Sequence, residues 1–368
     1  MTTEKTPAHL IKMTNVDREQ LRAFVSEGFE ALGLTAQDAG IFANALIFSE
    51  LRFHPGQGQG VARLRRYQER VGNGEVNPRA DWSILKEGPA LALVDAHNGI
   101  GTVAASKAMA LAIKKAKEGG IGTVIVRNST HYGSSAVHAC QALEHCCVGM
   151  AFTNAGPEMA PWGGREGVTG TNPWSIAAPS DQGFPTVLDI AITTAGKGMM
   201  NWLIREGKKM PLDWAITPEG HETDDPAAAL KGPLLAIGGH KGYGLAFMTE
   251  ALTGVLSGGG FGLTPYSDPK KLDVSHYFQA IDISWFMDPA DYATRMGEFV
   301  QMAKSRALRP GFDEILVPGE QEARRTAKKA ANGIPIDNAV LADMQVLAQE
   351  LNLKTPLNGL GPYTGDTL

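Results

Sequence analysis

The chain has 368 residues, 43% of them hydrophobic and 20% charged, a composition typical of a globular protein large enough for two lobes. Its net charge is −5, from 34 basic and 39 acidic residues, and no basic stripe is present, so we expect no nucleic-acid partner. No run of about 18 apolar residues occurs, so we expect no membrane span.

The three cysteines, Cys140, Cys146 and Cys147, do not form a disulfide framework. An odd count with a vicinal pair fits a reducing compartment, and the polar N-terminus lacks a signal-type apolar core, so we expect a cytoplasmic protein. Vicinal thiols can hold a metal or act in redox chemistry, but small apolar residues entering a strand are the simpler interpretation. No cluster of metal ligands stands out, and no metal is expected.

The first part of the chain is predicted to be helical. Asp17 is placed to cap a helix over residues 18–32, and Thr35 with Asp38 to begin the next one. Residues 54–60 are rich in glycine and predict a flexible loop. A basic helix follows, which contains Arg63, Arg65, Arg66 and Arg70.

From about residue 90 short apolar strands alternate with helices, which predicts a layered α/β domain. The expected strands are residues 91–95, 122–127, 148–153, 174–178, 186–189 and 280–285. The expected helices are residues 102–117, 134–145, 241–256, 290–308, 321–331 and 337–351, so that the C-terminal part is helical again.

A glycine motif, Gly99-Ile100-Gly101-Thr102-Val103-Ala104, follows a strand and precedes a helix, as the dinucleotide fingerprint of a Rossmann fold does. Two details argue against a Rossmann site. The residues from Asp95 to Asn98 separate the strand from the first glycine, where a Rossmann turn is tighter. The next strand ends at Arg127, not at the acidic residue that would hold the ribose. The alternative is a plain glycine turn.

Three other loops carry residues suited to chemistry. His131 lies between a strand and a helix, where an imidazole can exchange a proton near neutral pH, although a capping or packing histidine is the alternative. In residues 170–173, Gly-Thr-Asn-Pro, the glycine allows a ligand to approach the backbone closely, and the Thr and Asn side chains supply hydrogen-bonding groups. An ordinary turn would have a similar sequence. Residues 238–244 lead into a helix that begins at Lys241, and the start of a helix beside a lysine can bind an anion. The alternative is that Lys241 is only a solvated surface charge.

Together these stretches resemble the malate/L-lactate dehydrogenase family that is distinct from the Rossmann-fold malate and lactate dehydrogenases. That family includes ureidoglycolate, sulfolactate and diketogulonate enzymes, and reductases of cyclic imines such as piperideine-2-carboxylate. The resemblance runs from about Leu21 to Pro335, and its landmarks, in order, are residues 128–133, 160–164, 170–173, 188–191, 239–246 and 316–320.

The resemblance implies an α/β fold with a non-Rossmann, mixed-sheet core that binds nicotinamide, and a largely helical lobe from the N- and C-terminal segments. Residues 1–85 would supply the substrate cleft and dimer contacts, residues 86–288 the cofactor-binding core, and residues 289–368 a helical segment that packs back on the first lobe. It also implies NAD or NADP as cofactor, a small carboxylate substrate, and a homodimer in which the partner subunit completes the cleft.

The family's functional positions also carry over to this sequence. The positions implied beside the cofactor are Thr171, Asn172, Asp189, Ala191, Lys241 and Gly242, with Glu320 and Arg324 at its far end. Arg52 and Arg63 fall in the region that faces the substrate carboxylate. His131 matches a histidine that accepts or donates the proton in some relatives.

One departure from the family pattern concerns the proton. Many relatives carry Asp-Ser-His-Gly before the stretch that begins here at Gly60, but this chain has Gln57-Gly58-Gln59. Aligned without a gap, the family histidine becomes Gln59, which cannot exchange a proton; a two-residue insertion instead leaves His54 or Gln57 nearby. The acid is therefore His131 or His54, or the reaction differs from that of most relatives.

We therefore predict an NAD(P)-dependent oxidoreductase that transfers a hydride between nicotinamide and a small 2-oxo or 2-hydroxy acid. The first alternative is an NAD(P)H-dependent reductase of cyclic 2-imino acids, whose iminium carries its own proton. The second is a nicotinamide-binding protein with altered or lost activity.

Overall fold

A computed structural model describes residues 11–58 and 60–365. The strands are β1 Met13–Val16, β2 Ser83–Glu87, β3 Leu91–Asp95, β4 Ile121–Ser129, β5 Cys147–Thr153, β6 Trp174–Ala178, β7 Thr186–Ile190, β8 Val274–Asp282, β9 Ile334–Asp337 and β10 Gly359–Pro362. The helices are α1 Arg18–Ala31, α2 Ala36–Arg52, α3 Arg63–Gly72, α4 Gly101–Gly119, α5 Ser135–Ala139, α6 Lys197–Glu206, α7 Pro226–Ala229, α8 His240–Glu250, α9 Pro289–Lys304, α10 Glu320–Asn332 and α11 Asn338–Glu350. None of these helices is both long enough and apolar enough to cross a membrane, among the residues described.

The larger sheet has seven strands in the order β2-β3-β4-β8-β5-β6-β7. Only the β3–β4 pair is parallel, with α4 as its crossover, and the other neighbours run antiparallel. A Rossmann sheet is mostly parallel, whereas here β8 inserts antiparallel between β4 and β5. The expected non-Rossmann, mixed-sheet α/β core is therefore confirmed. Its apolar core joins buried alanines of α4 and α5 to the inner face of β3, β4, β5 and β8.

The helical lobe forms a second apolar core, built from α1, α2, α3 and α11. Asp17 and Thr35 cap α1 and α2 as predicted, since their side chains accept the N–H groups of Gln20 and Asp38. A small sheet of order β10-β1-β9 closes this lobe, because β1 pairs with two strands from the far end of the chain. This sheet was not predicted.

Four predicted elements need correction. The helix expected at residues 290–308 ends at Lys304, and the helix expected at residues 241–256 is α8 followed by a π-helical turn, Ala251–Val255. The strand expected at residues 280–285 is β8, which begins at Val274; the Asp282 carboxylate accepts the Ser284 N–H and turns the chain into a 3-10 helix at Ile283–Trp285. The helix expected at residues 134–145 continues beyond α5 as a 3-10 helix, Cys140–His145, which ends where Cys146 has a φ of +55°.

The expected domain boundaries can be placed on these elements. The division between residues 85 and 86 falls inside β2. In the segment 289–368, α10 and α11 pack on the first lobe, but α9 lies against the connection between β6 and β7. There the Asp181 N–H donates to the Ala293 carbonyl.

Candidate functional site

The loop between β4 and α5, residues 130–134, is held by hydrogen bonds to the glycine motif at residues 99–101. The Thr130 hydroxyl accepts the Gly101 N–H at 2.9 Å and donates to the Gly99 carbonyl at 3.0 Å. A Cβ at Gly101 would lie 2.1 Å from the Thr130 carbonyl oxygen. The position that a Rossmann fold reserves for pyrophosphate is therefore filled by this chain's own backbone, and the glycine-turn interpretation is correct.

The His131 ring has a defined tautomer. Its Nδ1 accepts the Gly133 N–H at 3.0 Å, so in the neutral ring the proton is on Nε2. The Tyr67 hydroxyl donates to the His131 carbonyl at 3.1 Å and fixes the backbone beneath it. Burial, reinforced by the charges of nearby arginines on α3, holds the pKa of His131 well below its ordinary value. The ring is thus neutral at physiological pH and presents an N–H as a hydrogen-bond donor.

Helix α3 presents a cationic face to His131. Arg63, Tyr67 and Arg70 recur at helical spacing on that face. The Arg63 Nε donates to the Gly58 carbonyl at 2.9 Å, and burial lowers the pKa of Arg63 to about 10. Arg70 has a carboxylate nearby, with Glu75 Oε2 at 3.8 Å from its Nε, whereas Arg63 has no ion-pair partner among the described residues. This face therefore has an excess of positive charge, which suits an anionic ligand.

His54 lies in a different environment. Its Nδ1 accepts the Gly56 N–H at 3.0 Å, and its ring packs edge-on against Trp202 at 4.8 Å between centroids. It lines a cavity of about 240 Å³ with residues of α6 and β9, and none of the described residues lining that cavity belongs to the His131 loop. The structure thus does not bring the two histidines to one cavity. Gln59 lies outside the described residues.

Four of the expected cofactor positions adjoin one another. The Thr171 carbonyl accepts the Ile192 N–H, next to Ala191, and the Ile192 carbonyl accepts the Ile237 N–H. These hydrogen-bonded segments at Thr171, Ile192 and Ile237 form a strip of backbone. A Cβ at Gly242 would lie 2.1 Å from the Ile237 carbonyl oxygen, so the first turn of α8 packs directly on this strip. Lys241 is exposed at that helix start, where backbone N–H groups favour an anion.

Asn172 is held in place by α8. It is fully buried with a φ of +36°, and its Nδ2 donates to Glu250 Oε1 at 2.8 Å and to the Ala246 carbonyl at 3.1 Å. Its Oδ1 is buried without a hydrogen-bond partner in the described structure. Glu250 also accepts from the Asn154 amide at 3.1 Å, and burial raises the pKa of Glu250. Sequence reasoning missed Glu250, because only the fold brings α8 to this loop.

Asp189 on β7 and Arg52 at the end of α2 form a second polar group. Asp189 Oδ2 accepts the Ala136 N–H at 3.3 Å, and burial raises the pKa of Asp189 to about 7 against the opposing effects of that N–H and of Arg52. Arg52 is only 7% exposed, and its Nε and Nη2 have no hydrogen-bond partner among the described residues. Such a buried guanidinium is prepared to receive acceptor atoms from a ligand.

Glu320 and Arg324 lie at the N-terminal end of α10, which adjoins β7 through a hydrogen bond from the Val187 N–H to the Pro318 carbonyl. Lys304 Nζ donates to both Glu320 oxygens, at 2.6 and 2.7 Å. Arg324 forms a two-point contact with Glu314, with both distances 2.7 Å, and also contacts Glu320. These charges are therefore already paired with one another.

The residues present fit a nicotinamide dinucleotide. Buried polar atoms without a partner in the described structure recur along the strip from the His131 loop to α8, namely Ser134 Oγ, Asn172 Oδ1 and Thr193 Oγ1. Each would gain a hydrogen bond from a polar ligand group that reached it. Ser134 and Thr193 were not predicted, since a single serine or threonine in a loop carries no distinctive signal.

The mixed sheet defines a non-Rossmann α/β protein, and a neutral histidine beside a helix face with excess positive charge suits a small anionic ligand. The chain belongs to the malate/L-lactate dehydrogenase family, whose profile matches residues 16–345. It is therefore a dehydrogenase that acts on CH–OH groups, and dehydrogenases of this family use nicotinamide cofactors.

Individual relatives support this assignment. The chain is 35% identical to malate dehydrogenase of Pyrococcus horikoshii over 348 residues, which is 92% of this chain and 96% of the relative. The crystal structure of malate dehydrogenase from Entamoeba histolytica is similar with a TM-score of 0.90 and 30% identity, covering 94% of this chain and 99% of that one. Delta1-piperideine-2-carboxylate reductase from Pseudomonas syringae is similar with a TM-score of 0.80 and 27% identity, covering 91% and 99%.

Proposed function

We propose that this chain transfers a hydride between a nicotinamide cofactor, NAD or NADP, and C2 of a small 2-oxo or 2-hydroxy acid. The observation that carries the proposal is the cationic face of α3 beside the neutral His131. An arginine there would pair with the substrate carboxylate, because a planar guanidinium fixes its orientation at two points. The bound nicotinamide would supply or receive the hydride.

The roles of the two lobes follow from this proposal. Residues 1–85 supply the substrate side of the cleft through Arg63 and Arg52, and Arg52 also acts electrostatically on Asp189. Residues 86–288 supply His131 and the strip from Thr171 to Gly242 against which the cofactor lies. In the reducing direction, the Nε2–H of His131 donates a hydrogen bond to the substrate carbonyl and polarises it. Glu320 and Arg324 shape the far end of the groove through their ion pairs.

The first experiment measures cofactor binding. Purified protein should alter the fluorescence of NADH or NADPH, and Lys241→Ala should weaken binding by roughly ten- to a hundredfold, since a charge-assisted contact contributes about 1.5–3 kcal/mol. Lys231→Ala, also an exposed lysine, is the control and should leave the affinity unchanged. Absence of binding for both nucleotides at millimolar concentration would exclude the proposal.

The second experiment is a turnover screen with pyruvate, oxaloacetate, longer 2-oxo acids and cyclic 2-imino acids. Reduction of the cyclic imino acids alone would favour the alternative function, a ketimine reductase. Two points keep that alternative. Aligned without a gap, the resemblance puts Gln59 where many relatives have a histidine, and a piperideine-2-carboxylate reductase shares the fold. Binding of the cofactor without turnover of any substrate would identify a nicotinamide-binding protein that has lost activity.

We also propose a homodimer in the cytoplasm. Large apolar side chains are exposed on α8 and on α9, among them Phe247, Met248, Phe299 and Met302. Exposed apolar groups of this size are typical of a surface that another subunit covers. The three cysteines are unpaired, as in a reducing compartment. Sedimentation at micromolar concentration tests the dimer.

A further inference from the structure

Glu250 is a buried carboxylate that the proposed reaction does not use. It is the last residue of α8 and is only 6% exposed. No lysine, arginine or histidine among the described residues forms an ion pair with it. Moving an ionised carboxylate out of water is unfavourable unless hydrogen bonds replace the water. The groups that donate those hydrogen bonds therefore show what the carboxylate holds in place.

Three separate segments donate to Glu250. Its Oε1 accepts from Asn172 Nδ2 at 2.8 Å, and its Oε2 accepts from Asn154 Nδ2 at 3.1 Å and from the Gly262 N–H at 3.3 Å. Burial raises the pKa of Glu250, and these hydrogen bonds together with that of the Gly170 N–H oppose the rise. All four partners are donors, so a protonated carboxyl would set an O–H against an N–H. The side chain is therefore ionised at neutral pH.

The contact with Asn172 fixes the orientation of that amide. The two Nδ2 hydrogens are taken by Glu250 and by the Ala246 carbonyl, the latter at 3.1 Å. An inverted amide would set Oδ1 against a carboxylate and a carbonyl, so Asn172 has one allowed orientation. The Gly170 N–H ties the backbone of the same loop to the same carboxylate. Thr171 lies between these two attachment points.

The loop is attached to one face of α8. Ala246, Thr249 and Glu250 share that face, since they are three and four residues apart in a helix. The Trp174 indole N–H donates to the Thr249 hydroxyl at 2.7 Å, which holds the far end of the loop. The first turn of the same helix carries the expected cofactor positions 241 and 242. A single helix therefore sets the spacing between the two groups of expected cofactor positions.

A π-helical turn, Ala251–Val255, directly follows Glu250. Such turns are rare and occur frequently at functional sites. A Cβ at Gly254 in this turn would lie 2.1 Å from the Gly260 carbonyl oxygen, so the chain that leaves the helix packs closely back on it. That carbonyl also accepts from Asn154 Nδ2 at 2.8 Å. The returning chain leaves the Gly262 N–H within reach of the carboxylate.

We propose that Glu250 is a positioning residue for the cofactor, an inference that rests on the proposed function. Its carboxylate holds the loop of residues 170–172 at one place relative to α8. The loop and the start of α8 then meet the nicotinamide dinucleotide together, without a cost for ordering the loop at the moment of binding. Glu250 itself acts through Asn172 and the Gly170 N–H.

The test is Glu250→Gln, which keeps the size of the side chain. Its N–H2 group faces another N–H donor whichever way the amide turns. We expect the Kd for NADH or NADPH, whichever wild type binds, to rise about tenfold or more, because a hydrogen bond to an ionised group contributes about one to two powers of ten to an equilibrium constant. The kcat at saturating cofactor should stay within about threefold of wild type, since the hydride transfer itself does not use Glu250.

Glu27→Gln on α1 is the matched control. The Glu27 carboxylate also accepts two backbone N–H groups, from Lys354 at 2.7 Å and Thr355 at 2.8 Å, but it lies outside the loops that carry the expected cofactor positions. This variant should leave the Kd unchanged. A change that only destabilises the fold would reduce the number of folded sites without altering their affinity, so the Kd separates positioning from stability.

A double-mutant cycle tests the route through Asn172. Asn172→Gly removes the amide, and glycine tolerates the φ of +36° at this position. If Glu250 acts through that amide, Glu250→Gln should raise the Kd much less in the Asn172→Gly background than in wild type. Hydrogen exchange of the wild-type protein adds a measurement that needs no variant. The peptide containing residues 170–172 should exchange more slowly when the cofactor is bound.

Several results would overturn the inference. An unchanged Kd in Glu250→Gln would exclude a positioning role, and so would a loss of kcat at saturating cofactor as large as the loss of affinity. Equal effects of Glu250→Gln in both backgrounds would exclude the route through Asn172. Unchanged exchange of residues 170–172 on cofactor binding would show that the loop does not meet the cofactor. If wild-type protein binds neither nucleotide, the proposed function itself fails, and with it this inference.

Discussion

Lys329 joins α10 to the end of α2, and its removal has a predictable cost. It is only 7% exposed, and its Nζ donates to the Glu50 carbonyl at 2.7 Å and the Phe53 carbonyl at 2.8 Å. These carbonyls belong to the C-terminal end of a helix, where backbone acceptors lack intrahelical partners. The Glu50 carboxylate in turn accepts the Val61 N–H at 2.7 Å and holds the glycine-rich segment.

Lys329→Met keeps the length of the side chain and removes its donors. Each hydrogen bond from a charged donor contributes about 1.5–3 kcal/mol, and two buried carbonyls would be left without partners. Burying an ammonium is itself unfavourable, which is why burial lowers the pKa of Lys329 to about 8, and methionine avoids that cost. After this offset we expect the free energy of unfolding to fall by about 2–4 kcal/mol.

Urea unfolding followed by circular dichroism measures this change. Lys328→Met is the matched control, because it makes the same chemical change at an exposed position of the same helix. A surface substitution of this kind should alter the free energy of unfolding by no more than about 0.5 kcal/mol. If the two variants unfold at the same urea concentration, the two hydrogen bonds do not stabilise the protein and the reasoning is wrong.

Two further predictions concern the site itself. Gly101→Ala should displace the His131 loop and lower both kcat and the melting temperature, since its Cβ would lie 2.1 Å from the Thr130 carbonyl oxygen. Gly119→Ala in the same helix is the control, because its Cβ would meet nothing within 4 Å. Asp189→Asn should flatten the pH dependence of stability between pH 4 and pH 7. The pKa of Asp189 is about 7 in the folded protein, above the ordinary 3.8. Its contribution to the free energy of unfolding is therefore present at low pH and is lost as the pH rises towards 7. A variant with the same pH dependence of stability as wild type would contradict this.

Much of the fold follows from local sequence patterns. The capping residues Asp17 and Thr35 predict the starts of α1 and α2, and the apolar run at residues 91–95 predicts β3 with its exact bounds. The three strands of the small sheet escape prediction for a physical reason. β1 is four residues long and finds both its partners more than 300 residues away in sequence, so no local pattern records the pairing.

The candidate site is harder to predict than the fold, because several of its groups are functional only through contacts between distant segments. The family resemblance puts Arg52 in the region that faces the substrate carboxylate, but only the fold shows that it is buried with two nitrogens unpartnered among the described residues.

The glycine motif at residues 99–101 shows what a sequence pattern can and cannot specify. Glycine indicates that something approaches the backbone too closely for a Cβ, but not what approaches. In a Rossmann fold it is the pyrophosphate; at Gly101 here it is the carbonyl groups of Thr130 and His131, and at Gly99 it is the Ala80 Cβ and the Ala96 carbonyl. The Gly101 N–H and the Gly99 carbonyl both bond to the Thr130 hydroxyl. The two glycines that would hold a cofactor in a Rossmann fold therefore hold the loop that carries a histidine.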